Sequence, residues 1–401
     1  MRSTVICIDK IKDVSDVVGI SQELLQKLQD ENFQLAQNTV GILFCDIDLA
    51  NDEFAGLISS QLPFPVIGSS SLAILTGDGY HRDSASLMVL TADDVWFAPV
   101  ISDEFDRHDF RPRIEDAYNV AKAALPEQPK TVFMLSPFVT DSHMQTDFAA
   151  ILSEISGGLP IFGGVASDYL EMKGYQVMFD GKTYNDRLVL LLMAGNVRPV
   201  STANDNISTV GRMARVDDSE GNLLKKVEGM SFVEYCNSLG MNINLNLISA
   251  LSTLYVLRSK YYDEQGRSYC VNRMMQDLVK EEGWARTSAP LPVGTEISLC
   301  TVSRADITDS CSSGFNKLLE KMKENEKDGY KYSTVLTFTC MLRHIIMAHE
   351  SFKEGEIIKK SIPEGINLAG FYTYGEFGPV EFAEGGADSR FLNGAIVFCA
   401  L

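Results

Sequence analysis

No stretch of this sequence is apolar for long enough to cross a membrane as a helix. The most apolar run, Leu188–Ala194, is far shorter than the ~20 residues such a span needs. No two cysteines form a C-x-x-C pair; the eight are scattered at positions 7, 45, 236, 270, 300, 311, 340 and 399. That spacing argues against a structural zinc site or a disulfide framework. Most of these thiols lie in apolar, strand-like runs, where cysteine behaves as a small hydrophobe. Basic tracts are missing too. With 35 Lys and Arg against 54 Asp and Glu, the net charge of −19 argues against nucleic acid or an anionic membrane as the main partner. Catalytic and nucleotide signatures are equally scarce: there is no G-x-S-x-G, H-E-x-x-H, P-loop or G-x-G-x-x-G. Met1–Lys10 reads as a short strand without a signal-peptide core, so the expected location is cytoplasmic.

What is present is an ordinary globular composition, 45% hydrophobic and 22% charged, over 401 residues. That length predicts two domains. One pattern recurs three times: an opening strand, a segment ending in a glycine strand, and a closing strand. The first copy runs through Thr39–Cys45, a helix over Asp52–Gln61, Pro65–Gly68 and Ser86–Leu90. The second runs through Thr131–Ser136, a helix over Thr146–Ser156, Pro160–Gly164 and Leu188–Leu192. The third uses Thr334–Cys340, Asn367–Gly370 and Ala395–Cys399. Another strand is expected at Val95–Val100, and a helix carries Ile114, Tyr118, Ala121 and Leu125 at helical spacing. Polar residues cluster over Ala203–Asn222, which predicts domains of 1–215 and 216–401. A helix over Ser231–Leu239, a strand over Leu251–Arg258 and a solvated helix over Lys317–Asp328 follow. The fold class is therefore α/β: two domains of repeated strand–helix–strand units, with two mixed sheets covered by helices.

Several segments resemble the FIST family. They are Pro65-Val66-Ile67-Gly68-Ser69-Ser70, Asp78-Gly79-Tyr80, and Leu159 through Asp168 with its Gly163-Gly164 pair. In the second half they are Thr339-Cys340-Met341-Leu342-Arg343 and Ala369-Gly370-Phe371-Tyr372-Thr373-Tyr374-Gly375-Glu376-Phe377-Gly378-Pro379, with Asn393 before the last strand. The sequence departs from the family at Ser71-Leu72-Ala73-Ile74 and at His344-Ile345-Ile346. The resemblance implies FIST N and FIST C domains and a sensory, non-enzymatic module that binds small ligands such as amino acids. It also implies signalling to a separate partner such as a histidine kinase, cyclase or chemoreceptor. A subset of the family resembles haem-binding nitric-oxide sensors.

The candidate ligand-binding residues are Tyr372, Tyr374, Glu376, Arg343, Cys340, Asn393, Gly163, Gly164 and Asp168. Within Gly370–Pro379, two phenols, a carboxylate and glycine N–H groups suit an amine-bearing or aromatic ligand; a tight turn at a sheet edge is the structural reading. Arg343 either faces solvent or forks onto a ligand carboxylate. Cys340 reads as a packed thiol, with a nucleophile in a hydrolase or transferase as the weaker alternative. Asp168 either caps a turn or meets a ligand amine. No metal site is expected. Among five histidines, His344, followed by Ile345, Ile346 and Met347, is the choice for an axial ligand should haem be the cofactor.

Overall fold

Short β-branched and aromatic runs set the strands of this chain, and glycine sets how closely they approach. The computed structural model describes all residues except 106–108, 140–142, 170, 172–174, 210, 242–254 and 280. His108 and the His143 side chain lie outside that description.

The first repeat comprises β1 (Arg2–Ile8), α1 (Val17–Asp30), β2 (Asn38–Asp46), α2 (Asp52–Gln61), β3 (Val66–Ser71), the hairpin β4 (Ile74–Thr76) and β5 (Gly79–His81), and β6 (Ala85–Ala92). The second follows the same order: β7 (Val95–Ile101), α3 (Phe110–Ala124), β8 (Thr131–Ser136), α4 (His143–Ser156), β9 (Ile161–Val165), β10 (Val177–Phe179), β11 (Lys182–Tyr184) and β12 (Val189–Gly195). The third begins with β13 (Val200–Asn204) and is then interrupted. Strands β14 (Ser208–Thr209) to β21 (Glu296–Thr301), with α5 (Phe232–Ser238), form a separate antiparallel sheet. The third repeat resumes with α6 (Arg304–Glu326), β22 (Thr334–Cys340), α7 (Met341–Met347), α8 (Lys353–Ser361), β23 (Asn367–Thr373), the hairpin β24 (Glu376–Glu381) and β25 (Ala387–Leu392), and β26 (Ile396–Ala400).

Helix starts follow local chemistry. Asn51 Oδ1 accepts the Phe54 N–H at the head of α2, and Ser303 with Asp306 forms a capping box at α6. The helix expected over Lys317–Asp328 is the last part of the 23-residue α6. It is one-sided rather than solvated all round, since Leu318 and Met322 are buried.

Among the described residues, four sheets stand where two were expected. Each repeat builds a six-stranded sheet in one order: edge strand, closing strand, opening strand, glycine strand, then a two-stranded hairpin. That hairpin always comes from another repeat. Strands β4–β5 extend the third sheet beside β23, β10–β11 extend the first beside β3, and β24–β25 extend the second beside β9. The exchange is cyclic, so strands from both halves of the sequence share sheets. The 215/216 boundary falls inside β15 (Ala214–Glu220) of the inserted sheet.

One glycine position explains the recurring motif. In the parallel pairs β2–β3, β8–β9 and β22–β23, Gly68 faces Leu43, Gly163 faces Met134 and Gly370 faces Thr337. A Cβ would meet the opposing carbonyl oxygen at 2.2, 1.8 and 2.0 Å respectively. No side chain fits there. Where the three sheets meet, Phe44, Phe133, Phe162, Phe338 and Phe371 pack into one core. Each buried ring contributes roughly 1.5–3 kcal/mol of apolar burial.

Candidate functional site

The parallel strand pairs end on one polar, aromatic junction. Strand β2 ends at Asp46 and β23 leads to Tyr374; beyond β9 stand Ser167, Asp168 and Tyr169. Carboxyl ends of parallel strands are where α/β sheets commonly place ligands.

Serine hydroxyls hold the junction together. Ser70 Oγ donates to the Ser167 carbonyl at 3.0 Å, and Ser167 Oγ donates to the Tyr372 carbonyl at 2.5 Å. Ser71 Oγ reaches the same Tyr372 carbonyl at 3.0 Å. All three serines are fully buried, and these bonds tie the glycine strands of different repeats together.

Around the serines, tyrosines cross from repeat to repeat. Tyr169 donates to Asp46 Oδ1 at 2.5 Å, and Tyr374 donates to Asp168. Tyr80 stacks on His344 with ring centres 6.0 Å apart and meets Tyr372 edge-on at 5.8 Å. Phe138 lies 5.2 Å from Tyr374 and 5.3 Å from Tyr175. Asp46 is 2% exposed, and among the described residues its buried Oδ2 has no hydrogen-bond partner. Burial raises the Asp46 carboxyl above its ordinary range, against the lowering pull of Tyr169 and the Asp48 N–H.

The expected site residues fall into separate groups. Arg343 does not face solvent; it is 1% exposed and forks onto Glu354 Oε1 through Nε at 3.0 Å and Nη2 at 2.7 Å. Its Nη2 also donates to the Ile307 carbonyl. Tyr372 is fully buried and donates to Glu354 Oε2 at 3.1 Å. Cys340 and Glu376 form a second group, both buried. Glu376 Oε1 accepts from Thr373 Oγ1 at 2.6 Å, and Oε2 accepts the Ala395 N–H at 3.2 Å. Burial pushes Glu376 up to about 8, which makes it a neutral acid at pH 7. Burial and Glu376 together push the Cys340 thiol well up, so it is protonated and enclosed, unlike an activated nucleophile.

Gly163 and Gly164 pair with Phe377 and Glu376 of β24, and a Cβ on Gly164 would strike Thr373 Cγ2 at 2.5 Å. Asn393 accepts from Ser288 Oγ at 2.8 Å and lines a separate groove of about 840 Å³. Gly370–Pro379 is two strands joined by Tyr374-Gly375 and not one short loop, because β23 pairs with β22 along its whole length.

His344 fits an axial haem role poorly. Tyr80 covers one ring face and Tyr372 stands edge-on at 5.4 Å. A haem ligand needs a ring nitrogen opening on a flat apolar slot. Burial, then Arg82, lowers the imidazole to about 4, so it is neutral at pH 7.

Asp46, Tyr169 and Glu354 were not singled out by sequence. Glu354 lies between Lys353 and Glu356 in a segment with no motif to mark it. Its neighbour Gly355 carried the signal: a Cβ there would lie 2.4 Å from the Tyr80 N, so the glycine lets α8 reach the β4–β5 hairpin.

Two family models match the chain: one described as the FIST N domain over residues 39–230, and one described as the FIST C domain over residues 232–379. Among solved structures, a cyanuric acid hydrolase from A. caulinodans aligns over 100% of this chain and 99% of its own, at 9% identity and a TM-score of 0.34. That likeness is too slight to carry an argument. No curated protein matches the chain.

Proposed function

This chain belongs to the FIST family of sensory and signal-transduction domains, and from that premise we propose that it binds a small, amine-bearing, amino-acid-like metabolite at the strand-end junction. Asp46 is the observation that carries the reading. Among the described residues, its Oδ2 is a buried acceptor without a donor, beside Tyr169 at the junction. An ammonium group supplies both the missing donor and a cation for the π-faces. Tyr374 and Asp168 complete the polar wall, while Arg343, Glu354 and Tyr372 hold it in place from the protein interior.

The signal passes to a separate partner, such as a histidine kinase, cyclase or chemoreceptor. Because each hairpin belongs to one repeat and pairs in the sheet of another, a ligand at the junction bears on all three repeats at once. It shifts an equilibrium by its differential affinity for two arrangements. A cytoplasmic location agrees with eight cysteines that are all free thiols.

The test is differential scanning fluorimetry of the full chain with the twenty amino acids and their decarboxylated amines. A stabilising compound is expected to lose its effect in Asp46→Asn and to be weakened in Tyr374→Phe. No stabilising amine, or one whose effect is unchanged in both variants, defeats the proposal.

A further inference from the structure

A groove of this protein lies away from the junction, between α6 and strands β13, β19 (Ser268–Val279) and β24. It holds about 840 Å³, within the roughly 300–1,000 Å³ typical of ligand sites. Its floor includes apolar Val271, Val380 and Leu392.

Asn272 lines this groove and is 2% exposed. Its Nδ2 donates to Asp205 Oδ2 at 2.6 Å, which fixes the amide orientation, and among the described residues the buried Oδ1 has no partner. A buried amide oxygen without a donor is a cost that a ligand N–H removes.

The backbone beside Asn272 has the same need. Ser268 donates its N–H to Glu384 and accepts the Ala383 N–H. Met274 donates its N–H to Ser288 Oγ and accepts the Ser288 N–H. These even-numbered residues of β19 therefore turn their polar groups away from β18 (Tyr255–Tyr262), its antiparallel partner. Strand alternation puts the backbone groups of Cys270 and Asn272 on that same side. The Asn272 carbonyl takes Arg273 Nη1 at 3.2 Å; among the described residues, the N–H groups of Cys270 and Asn272 and the Cys270 carbonyl have no partner there. Between two satisfied residues, β19 thus keeps a short open edge facing the groove.

We propose that this groove is a docking site for an extended peptide segment of a partner protein, which adds as a strand along Cys270–Asn272. A repeating row of N–H and C=O groups is the ligand chemistry that satisfies an open edge, and alternate side chains then fill the floor. The wall formed by α6 carries both signs, Lys317 and Lys321 with Glu320 and Glu324. It suits a segment of mixed charge better than a strongly acidic or basic one.

The test pans a random heptapeptide display library on the full-length chain and resynthesises the enriched peptide. Methylation of alternate amide nitrogens is expected to weaken binding at least tenfold, and bound peptide is expected to slow amide exchange at Cys270 and Asn272. Cys270 is exposed, so a bulky maleimide on it is expected to abolish binding without a change of fold, with a Cys270→Ser chain as the labelling control. Asn272→Leu is expected to cost at least fivefold. No enriched peptide, or peptides that bind the alkylated chain equally well and tolerate N-methylation, overturns the proposal. The groove is separate from the strand-end junction, so either reading fails without the other.

Discussion

Glu376 gives a pH signature that its buried position makes calculable. Its carboxyl is fully buried and titrates at about 8, against an ordinary value of 4.5. Below 4.5 the folded and unfolded chains are both protonated, and this group's contribution is fully present. Between 4.5 and 8 the unfolded chain releases the proton while the folded chain keeps it, so stability falls as pH rises. The loss is about 1.4 kcal/mol per pH unit, approaching about 5 kcal/mol over the whole interval. Above 8 it levels off. Glu376→Gln keeps an acceptor for the Ala395 N–H and a polar contact to Thr373 Oγ1, but removes the titration. Urea unfolding of both proteins from pH 5 to 9 isolates this residue, because the remaining charges cancel in the difference. The variant should lie within about 1 kcal/mol of the parent at pH 5 and exceed it by several kcal/mol at pH 8.5. A difference that does not change with pH refutes the reasoning.

Arg343→Ala leaves the Glu354 carboxylate buried without its cation and should cost about 3–5 kcal/mol, whereas the double change Arg343→Met with Glu354→Leu should recover most of it in the same unfolding measurement. Gly163→Ala puts a Cβ 1.8 Å from the Met134 oxygen at φ +148°, so it should yield insoluble protein on expression, while Gly157→Ala, with nothing within 4 Å, should stay soluble. The His344 imidazole should show no titration by NMR between pH 5.5 and 8, and protein supplied with haemin should show no Soret band dependent on His344.

The strands were legible because they are apolar runs bounded by turn residues: the expected Thr131–Ser136 and Thr334–Cys340 coincide with β8 and β22, and Asp52–Gln61 with α2. The repeat was legible for a sharper reason, since one backbone contact recurs three times and excludes every residue but glycine at Gly68, Gly163 and Gly370. The site was less so. Tyr372, Arg343, Tyr374 and Asp168 were visible as residues, yet nothing in their spacing indicated that Glu354 would take up Arg343 or that Asp46 would meet Tyr169.

The sequence by itself determined the periodic content of this protein: three strand–helix–glycine units, their closing strands and the membership of one family. Only the tertiary structure decided how the units close on one another. Hairpin exchange pairs strands far apart in the chain, such as Phe371 with Ile74, and those contacts depend on which edge each sheet leaves open. Periodicity records which face of a strand is buried; it carries no record of the partner across the edge. The same limit separates the buried pair Arg343–Glu354 from the binding residue that Arg343 resembles in sequence, because a guanidinium's role is set by the carboxylate that folding brings to it.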